Sequence, residues 1–123
     1  DELNLIPEMN KKIRTLSGGN KQKLSAFIAL IFNPQIIILD EPTAGLDPIA
    51  SSNLKQKILD ERAAGKTIIL TSHIMSEIEE LANNIIFLMD GKILFDGKVR
   101  DIVKQSGESK LENAIANMMR AVN

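Results

Sequence analysis

Residues 36–48 read Ile-Ile-Ile-Leu-Asp-Glu-Pro-Thr-Ala-Gly-Leu-Asp-Pro, an apolar run that delivers two adjacent carboxylates, Asp40 and Glu41, into a turn at Pro42. Four consecutive apolar residues are typical of a central strand in a parallel sheet that helices cover on both faces. Carboxylates at the end of such a strand suit a hydrated magnesium ion and an attacking water. This stretch therefore predicts an α/β fold with an acidic site at a strand end.

Alternating helices and strands are predicted on both sides of this stretch. Upstream, a helix with one buried face is indicated by apolar residues at the i, i+3, i+4, i+7 spacing, namely Leu24, Phe27, Ile28 and Ile31. Downstream, Asp47 is an N-cap followed by a proline at the first helical position. Residues 67–70 and 85–89 are the next apolar strands. This succession predicts parallel strands joined by right-handed crossover helices.

The last third of the chain changes pattern. Asp90-Gly91 predicts a two-residue hairpin turn, so residues 93–95 are expected to form an antiparallel strand. Ser76 and Glu79 have the spacing of a capping box for a short helix before the third strand. Beyond residue 97 the pattern is helical. Its final apolar stripe is interpreted as a helix docked on the domain rather than a partner-binding surface: Leu111, Ile115, Met118, Met119 and Val122.

Composition limits the classes of protein to which the chain can belong. Its 123 residues make one domain at most. With 15 basic and 16 acidic side chains the formal charge is -1. The chain therefore has no net positive charge that would attract nucleic acid or an anionic membrane surface. Cysteine is absent, which excludes disulfides and cysteine-ligated zinc. The most apolar window, residues 24–32, is far shorter than the roughly 20 residues of a membrane-spanning helix. A membrane role therefore has to come through a partner.

Polar side chains follow two of the predicted strands. In an open α/β sheet the reactive crevice lies outside the carboxyl ends of the strands, where Asp40, Glu41 and His73 all stand. Asp40 is placed to hold magnesium through water, and Glu41, as the alternate side chain, to address the attacking water. His73 is the single histidine, and its position alone does not separate a phosphate contact from a structural role.

A glycine-rich helix start lies upstream of the acidic strand. Ser17, Gly18 and Gly19 offer unpaired backbone N–H groups at the positive end of a helix dipole, and such ends bind phosphate, although a Gly-Gly pair alone is more often a turn. The predicted helix rises about 21 Å, whereas the strand returns only about 13 Å. The glycines are therefore able to face a phosphate held by another molecule.

A phosphate-binding loop of the form Gly-x-x-x-x-Gly-Lys-Ser/Thr is not found in these 123 residues. Ala64-Gly65-Lys66-Thr67 lacks the first glycine of that motif and leads from a helix into a strand, so it is interpreted as a helix stop. Residues 1–15 are interpreted as the last turn of a preceding element and an irregular connection. The sequence is therefore expected to begin inside a domain and to form the second half of a nucleotide-hydrolysing unit.

Four segments together resemble the nucleotide-binding domain of ATP-binding cassette (ABC) transporters in order and spacing: Leu16 to Asn20, residues 36–41, Ala44 to Asp47, and His73. The resemblance implies a partial P-loop NTPase fold with parallel strands, crossover helices, a terminal hairpin strand and C-terminal helices. Residues 1–97 would be the C-terminal part of the ATPase domain, with 1–15 the end of its helical subdomain, and 98–123 a C-terminal helical tail. Asn20 and Lys23 stand where glutamine and arginine are usual. The Gly-Leu-Asp-Pro form and the tail are most similar to bacterial exporters.

The resemblance implies ATP and Mg²⁺ as cofactors and gives each matching residue a role. The implied contacts to the γ-phosphate of an ATP held by the opposite subunit come from the signature segment, Ser17, Gly18, Gly19 and Asn20. Asp40 would coordinate magnesium, Glu41 polarise water and His73 contact the γ-phosphate. Asp47 ends a loop that communicates between two nucleotide sites.

The function that the resemblance implies is that of a transporter ATPase subunit. Its partners would be a second ATPase domain and membrane-spanning subunits, with no direct contact to nucleic acid, at the cytoplasmic inner face of the cell membrane. The chain alone is expected to bind ATP poorly, since nothing in it cradles the β- and γ-phosphates. Two alternatives stay open: an ABC-type ATPase of soluble function in translation or DNA repair, and a non-catalytic interaction module. The presence of Glu41 and His73 argues against a non-catalytic module, because a site that has lost ATP binding needs neither residue.

Overall fold

The computed structural model describes residues 5–122, with the backbone alone at residue 122. Predictions for residues 1–4, for the side chain of Val122 and for Asn123 therefore lie outside the described residues. The chain divides into two compact units, and the boundary in the sequence falls between Ser72 and His73.

The first unit is an α/β unit that begins with two short 3-10 helices, Ile6–Glu8 and Ile13–Thr15. Its further elements are α1 (Gly18–Ile31), β1 (Ile36–Asp40), α2 (Pro48–Ala63) and β2 (Thr67–Thr71). The two strands are parallel, in register from Ile36 beside Thr67 to Asp40 beside Thr71, and α2 is the crossover between them. Leu54 and Ile58 of α2 are buried. The predicted α/β fold with a parallel pair is confirmed in this unit.

Local signals place the ends of α2 as predicted. Asp47 is the N-cap, with its carboxylate accepting the backbone N–H of Ala50, and Pro48 is the first helical residue. Gly65 follows the last turn with φ +88°, a conformation that residues with a Cβ rarely adopt. Ala64 to Thr67 is therefore a helix stop leading into β2, as predicted.

The sheet of the first unit is covered on one face only, within the residues that the structure describes. Ile37 and Leu39 are buried, whereas Ile36 and Ile38, which point to the opposite face, are 60% and 71% exposed. Ile69 of β2 is exposed as well. The prediction that helices cover this strand on both faces is therefore wrong for the described chain, because α1 and α2 provide one layer.

The apolar face of α1 is also exposed, so the prediction of a buried face there is wrong. Phe27, Ile28 and Ile31 are about half exposed, while Lys23 and Ala26 are buried. A buried lysine needs a charged partner, and the partner of Lys23 lies in the loop after β1. The apolar side of α1 instead lines an open groove of about 780 Å³.

The second unit contains α3 (Met75–Leu81), β3 (Asn84–Met89), β4 (Lys92–Lys98), α4 (Val99–Ser106) and α5 (Leu111–Val122). As predicted, β3 and β4 form an antiparallel hairpin whose two-residue turn, Asp90 and Gly91, has positive φ at both positions. Its core is formed by Ile102, Leu111, Ala114 and Ile115. The interpretation of the final stripe as a docked helix is confirmed for its described side chains, since α5 provides three of these core residues.

Two finer expectations for this unit are wrong. Among the described strands β3 pairs with β4 alone and does not extend the parallel sheet. Its ladder partner is the strand that follows the tight turn at Asp90 and Gly91, since a two-residue turn pairs consecutive strands antiparallel. The capping box is absent as well: the N-cap of α3 is Ile74, and Glu79 instead accepts the backbone N–H of Leu111 at the start of α5.

Candidate active site

Asp40 lies at the carboxyl edge of the parallel pair. It is the last residue of β1, and the register places it beside Thr71, the last residue of β2. Both residues are exposed, on the uncovered face of the sheet. The hydroxyl group of Thr71 donates a hydrogen bond to Oδ1 of Asp40. The arrangement orients the carboxylate at an open edge, where water or a metal ion can reach it.

Glu41 leaves the strand through a turn. Its φ is +44°, in the left-handed region that is disfavoured for residues with a Cβ. Its backbone N–H donates to the carbonyl oxygen of Thr71 at 3.2 Å and to the Thr71 hydroxyl oxygen at 3.1 Å. Its carbonyl oxygen accepts the side-chain amide of Gln22 at 2.9 Å and the backbone N–H of Ala44 at 3.1 Å. A turn held by four hydrogen bonds, rather than strand alternation, therefore sets the direction of the Glu41 side chain.

The glycine-rich segment begins α1 as predicted. Ser17 is the N-cap, and its Oγ accepts the backbone N–H of Asn20 at 3.2 Å. Ser17 and Gly18 are exposed, and a Cβ added at Gly18 would meet no atom within 4 Å. The backbone at Gly18 therefore has no side-chain bulk in front of it, and a helix start that is open at this position suits an anion.

At position 19, glycine is required for a different reason, which is close packing against a neighbouring loop. A Cβ at Gly19 would lie 2.9 Å from the carbonyl oxygen of Gly45. The start of α1 and the loop after β1 thus approach each other closely. The sequence offered no sign of this contact, because the two glycines are 26 positions apart and each is also compatible with an ordinary turn.

A charged contact joins the same two segments. The ammonium group of Lys23 lies 3.5 Å from Oδ2 of Asp47, and only 10% of the Lys23 side chain is exposed. Oδ1 of Asp47 accepts the backbone N–H of Ala50 at 2.9 Å. That hydrogen bond, with a smaller contribution from the charge of Lys23, lowers the pKa of Asp47 below its usual value. Both carboxylate oxygens of Asp47 therefore have partners inside the chain, and its predicted contribution to a nucleotide site stays a prediction.

Known proteins similar to this chain point to one family. A family model described as ABC transporter matches residues 1–44. The Bacillus subtilis (strain 168) protein YhaQ, an uncharacterized ABC transporter ATP-binding protein, is 35% identical over 111 residues, which are 90% of this chain. Human phospholipid-transporting ATPase ABCA3 is 43% identical over 103 residues, or 84% of this chain. A solved structure of the ATP-binding subunit of an ABC transporter matches 96% of this chain with a TM-score of 0.88 and 28% identity. The chain is thus similar to part of an ABC transporter nucleotide-binding domain.

The match covers only part of each relative. The chain spans 37% of YhaQ, 6% of ABCA3 and 50% of the solved ABC subunit. The predicted resemblance to an ABC nucleotide-binding domain and the predicted α/β fold are confirmed by these comparisons. None of the helices described between residues 5 and 122 is long and apolar enough to cross a membrane.

The donor groups at Asp40 fit the magnesium that ABC ATPases use with ATP. Within residues 5–122 no three acidic, histidine or cysteine side chains are grouped as metal ligands. Magnesium does not need such a cage, since it keeps several waters and is bound through one or two carboxylates and the phosphates of its substrate. A single exposed carboxylate at a strand end, oriented by a hydroxyl group, matches that mode of binding.

His73 is the first residue of the second unit. It is exposed and follows the end of β2 by two residues. Its predicted contact with a γ-phosphate stays a prediction, as do the predicted roles of Glu41 and of the signature residues.

Proposed function

We propose that this chain belongs to the ATPase subunit of a membrane transporter. It provides two parts of an ATP-hydrolysing site, namely the carboxylates Asp40 and Glu41 at the sheet edge and the start of α1, here called the signature helix. The observation that carries the proposal is the pair Asp40 and Glu41 at an open sheet edge, with the Asp40 carboxylate oriented by Thr71 and the Glu41 backbone fixed in a turn. Fixed groups of this kind are what phosphoryl transfer requires, because its catalysis is almost entirely positioning and electrostatic stabilisation.

The two carboxylates have different roles in the proposed reaction. Asp40 holds the hydrated metal that accompanies ATP, and Glu41 orients the attacking water and accepts its proton. A magnesium ion held by Asp40 would supply positive charge that offsets the negative charge developing on the phosphates. His73 supports the same reaction as a hydrogen-bond donor to the γ-phosphate.

The signature helix serves a second nucleotide. Ser17, Gly18, Gly19 and Asn20 form the start of α1, whose exposed N–H groups face a γ-phosphate held by a second ATPase domain. The open space at Gly18 supports this assignment, because a phosphate oxygen must approach the backbone closely. Two domains in head-to-tail arrangement would thus share their sites, and Asp47 would lie in the loop between them.

Coupling to transport is the remaining part of the proposal. The family relationship supports an ATPase that works with membrane-spanning partner subunits, at the inner face of the cell membrane. A name such as phospholipid-transporting ATPase belongs to one relative, and the cargo of this protein is not assigned. The chain by itself lacks the Gly-x-x-x-x-Gly-Lys-Ser/Thr loop and is proposed to bind ATP poorly.

The test is the variant Glu41→Gln in the intact ATPase subunit that carries this sequence, assembled with its membrane partners. The amide keeps the shape of the side chain but is no base, so ATP is expected to stay bound while turnover falls at least a hundredfold, within the usual range for a general base. Nucleotide binding and phosphate release are measured on the same preparation.

Glu112→Gln on the exposed side of α5 is the matched control, since it also replaces a carboxylate by an amide. Its turnover is expected to equal that of the wild type. Unchanged turnover in Glu41→Gln would refute the proposed role of this residue.

A further inference from the structure

We propose that Thr71 and Gln22 are positioning residues that clamp the backbone of Glu41 from its two sides. The inference rests on the proposed function in one respect, namely that Glu41 acts on the attacking water. It assigns no substrate contact to either residue. Both act through the backbone of Glu41, and Thr71 acts in addition through the carboxylate of Asp40.

Thr71 is connected to both acidic residues through a single hydroxyl group. A threonine hydroxyl has one proton to donate and two lone pairs to accept. Its proton is donated to Oδ1 of Asp40, and its oxygen accepts the backbone N–H of Glu41 at 3.1 Å. The same oxygen atom therefore contacts the Asp40 carboxylate and the Glu41 backbone, whose N–H also donates to the Thr71 carbonyl oxygen at 3.2 Å.

Gln22 holds the other side of the same residue. Its side-chain amide, partly buried, donates to the carbonyl oxygen of Glu41 at 2.9 Å. Gln22 belongs to the start of α1, four positions after Gly18. A displacement of the signature helix would therefore be transmitted directly to the backbone of Glu41.

The clamp is needed because Glu41 has an unfavourable backbone conformation. A glutamate at φ +44° has no glycine-like freedom, so the surrounding structure must hold it there. Removing a hydrogen bond on either side lets the turn relax and moves the carboxylate relative to Asp40. Since small misplacements of a catalytic group are costly, turnover should fall while the affinity for ATP stays unchanged.

The first arm of the experiment uses this chain alone and needs no catalysis. Amide hydrogen exchange at Glu41 is followed by NMR in the wild type and in Thr71→Val, which preserves the β-branched shape. Exchange is expected to be several-fold faster in Thr71→Val and close to wild type in Thr71→Ser, which keeps the hydroxyl. Thr67→Val removes a hydroxyl from the same face of the same strand and should leave exchange at Glu41 unchanged. Equal exchange in Thr71→Val and wild type would overturn the assignment of Thr71.

The second arm measures ATP hydrolysis by the intact, assembled ATPase. Gln22→Met is expected to lower kcat about tenfold, the effect of one lost hydrogen bond, and Thr71→Val, which loses two, is expected to lower it at least as much. KM for ATP should change less than twofold in both variants. Thr71→Ser should restore most of kcat. A merely structural role would lower the melting temperature and leave kcat of the folded fraction unchanged, which would refute the proposal, as would a Thr71→Ser variant as slow as Thr71→Val.

Glu41→Gln, measured in parallel, separates the two levels of inference. If that variant keeps normal turnover, the proposed function fails. If it loses turnover while Thr71→Val and Gln22→Met keep theirs, the clamp alone is wrong.

Discussion

Two neighbouring glycines give the sharpest test of how the start of α1 packs. Alanine at Gly18 points into open space, whereas alanine at Gly19 places a Cβ 2.9 Å from the carbonyl oxygen of Gly45. Neither glycine has a positive φ, so alanine is compatible with the backbone at both positions. Replacing glycine by alanine in a helix gains about 0.5 to 1 kcal/mol, and both variants share this gain.

The difference between the two variants therefore isolates the overlap. An ordinary contact begins near 3.4 Å, so a backbone segment has to move by roughly half an ångström, and such overpacking costs about 1 to 3 kcal/mol. Gly18→Ala is expected to be slightly more stable than the wild type, and Gly19→Ala to be less stable than Gly18→Ala by about 1 to 3 kcal/mol.

Urea unfolding of this chain, followed by far-UV circular dichroism, measures both free energies. Tyrosine and tryptophan are absent, so the helical signal is the practical probe. Equal slopes with urea would show that the variants expose the same surface on unfolding. Equal stability of the two variants would refute the close approach of Gly19 to Gly45.

Two further predictions concern this chain in solution. Calorimetric titration with MgATP is expected to show at most weak binding, because no loop in the chain cradles the phosphates, and a nanomolar dissociation constant would contradict this. Glu61 accepts hydrogen bonds from Lys66 and, more weakly, from Lys57, and these hold its pKa below the ordinary 4.5. The resulting stabilisation is present above pH 4.5 and is lost as the pH falls through the lower pKa of the folded state. Urea midpoints measured between pH 7 and acidic pH should thus fall less steeply in Glu61→Gln than in the wild type, and identical slopes would argue against the prediction.

Local signals in the sequence predicted the ends of elements well. Asp47 with Pro48, and Asp90 with Gly91, act through their own backbone preferences, so neighbouring residues suffice to identify them. Gly65 closes α2 with φ +88° for the same reason. Ends of this kind depend on a few adjacent residues, whereas the parallel pair and the docked α5 were predicted from apolar patterns and are confirmed as well.

Periodicity was less informative about burial. The apolar face of α1 was recognised correctly as apolar, but the spacing of Phe27 and Ile31 does not say what covers them, and in the described chain they are exposed. Ile38 was misjudged for the same reason. The buried face of α1 contains Lys23, whose burial depends on an ion pair with a residue 24 positions away.

The candidate site was predicted in part. A strand end followed by two carboxylates located Asp40 and Glu41, but the groups that hold them, Thr71 and Gln22, are 30 and 19 positions from Glu41. The signal for Thr71 was present, since a parallel register of the two apolar runs places it opposite Asp40. Gln22 gave no such signal, because its contact depends on how a helix packs against a loop.

The uncovered isoleucines of the parallel pair affect how this chain behaves after purification. Ile36, Ile38 and Ile69 lie on one face of a sheet that has only two strands among the described residues. Unpaired strand edges beside an exposed apolar patch favour aggregation between copies of the chain. Dilute solutions and mild detergents are therefore expected to keep this chain monomeric, and a lysine in place of Ile38 is expected to improve its solubility.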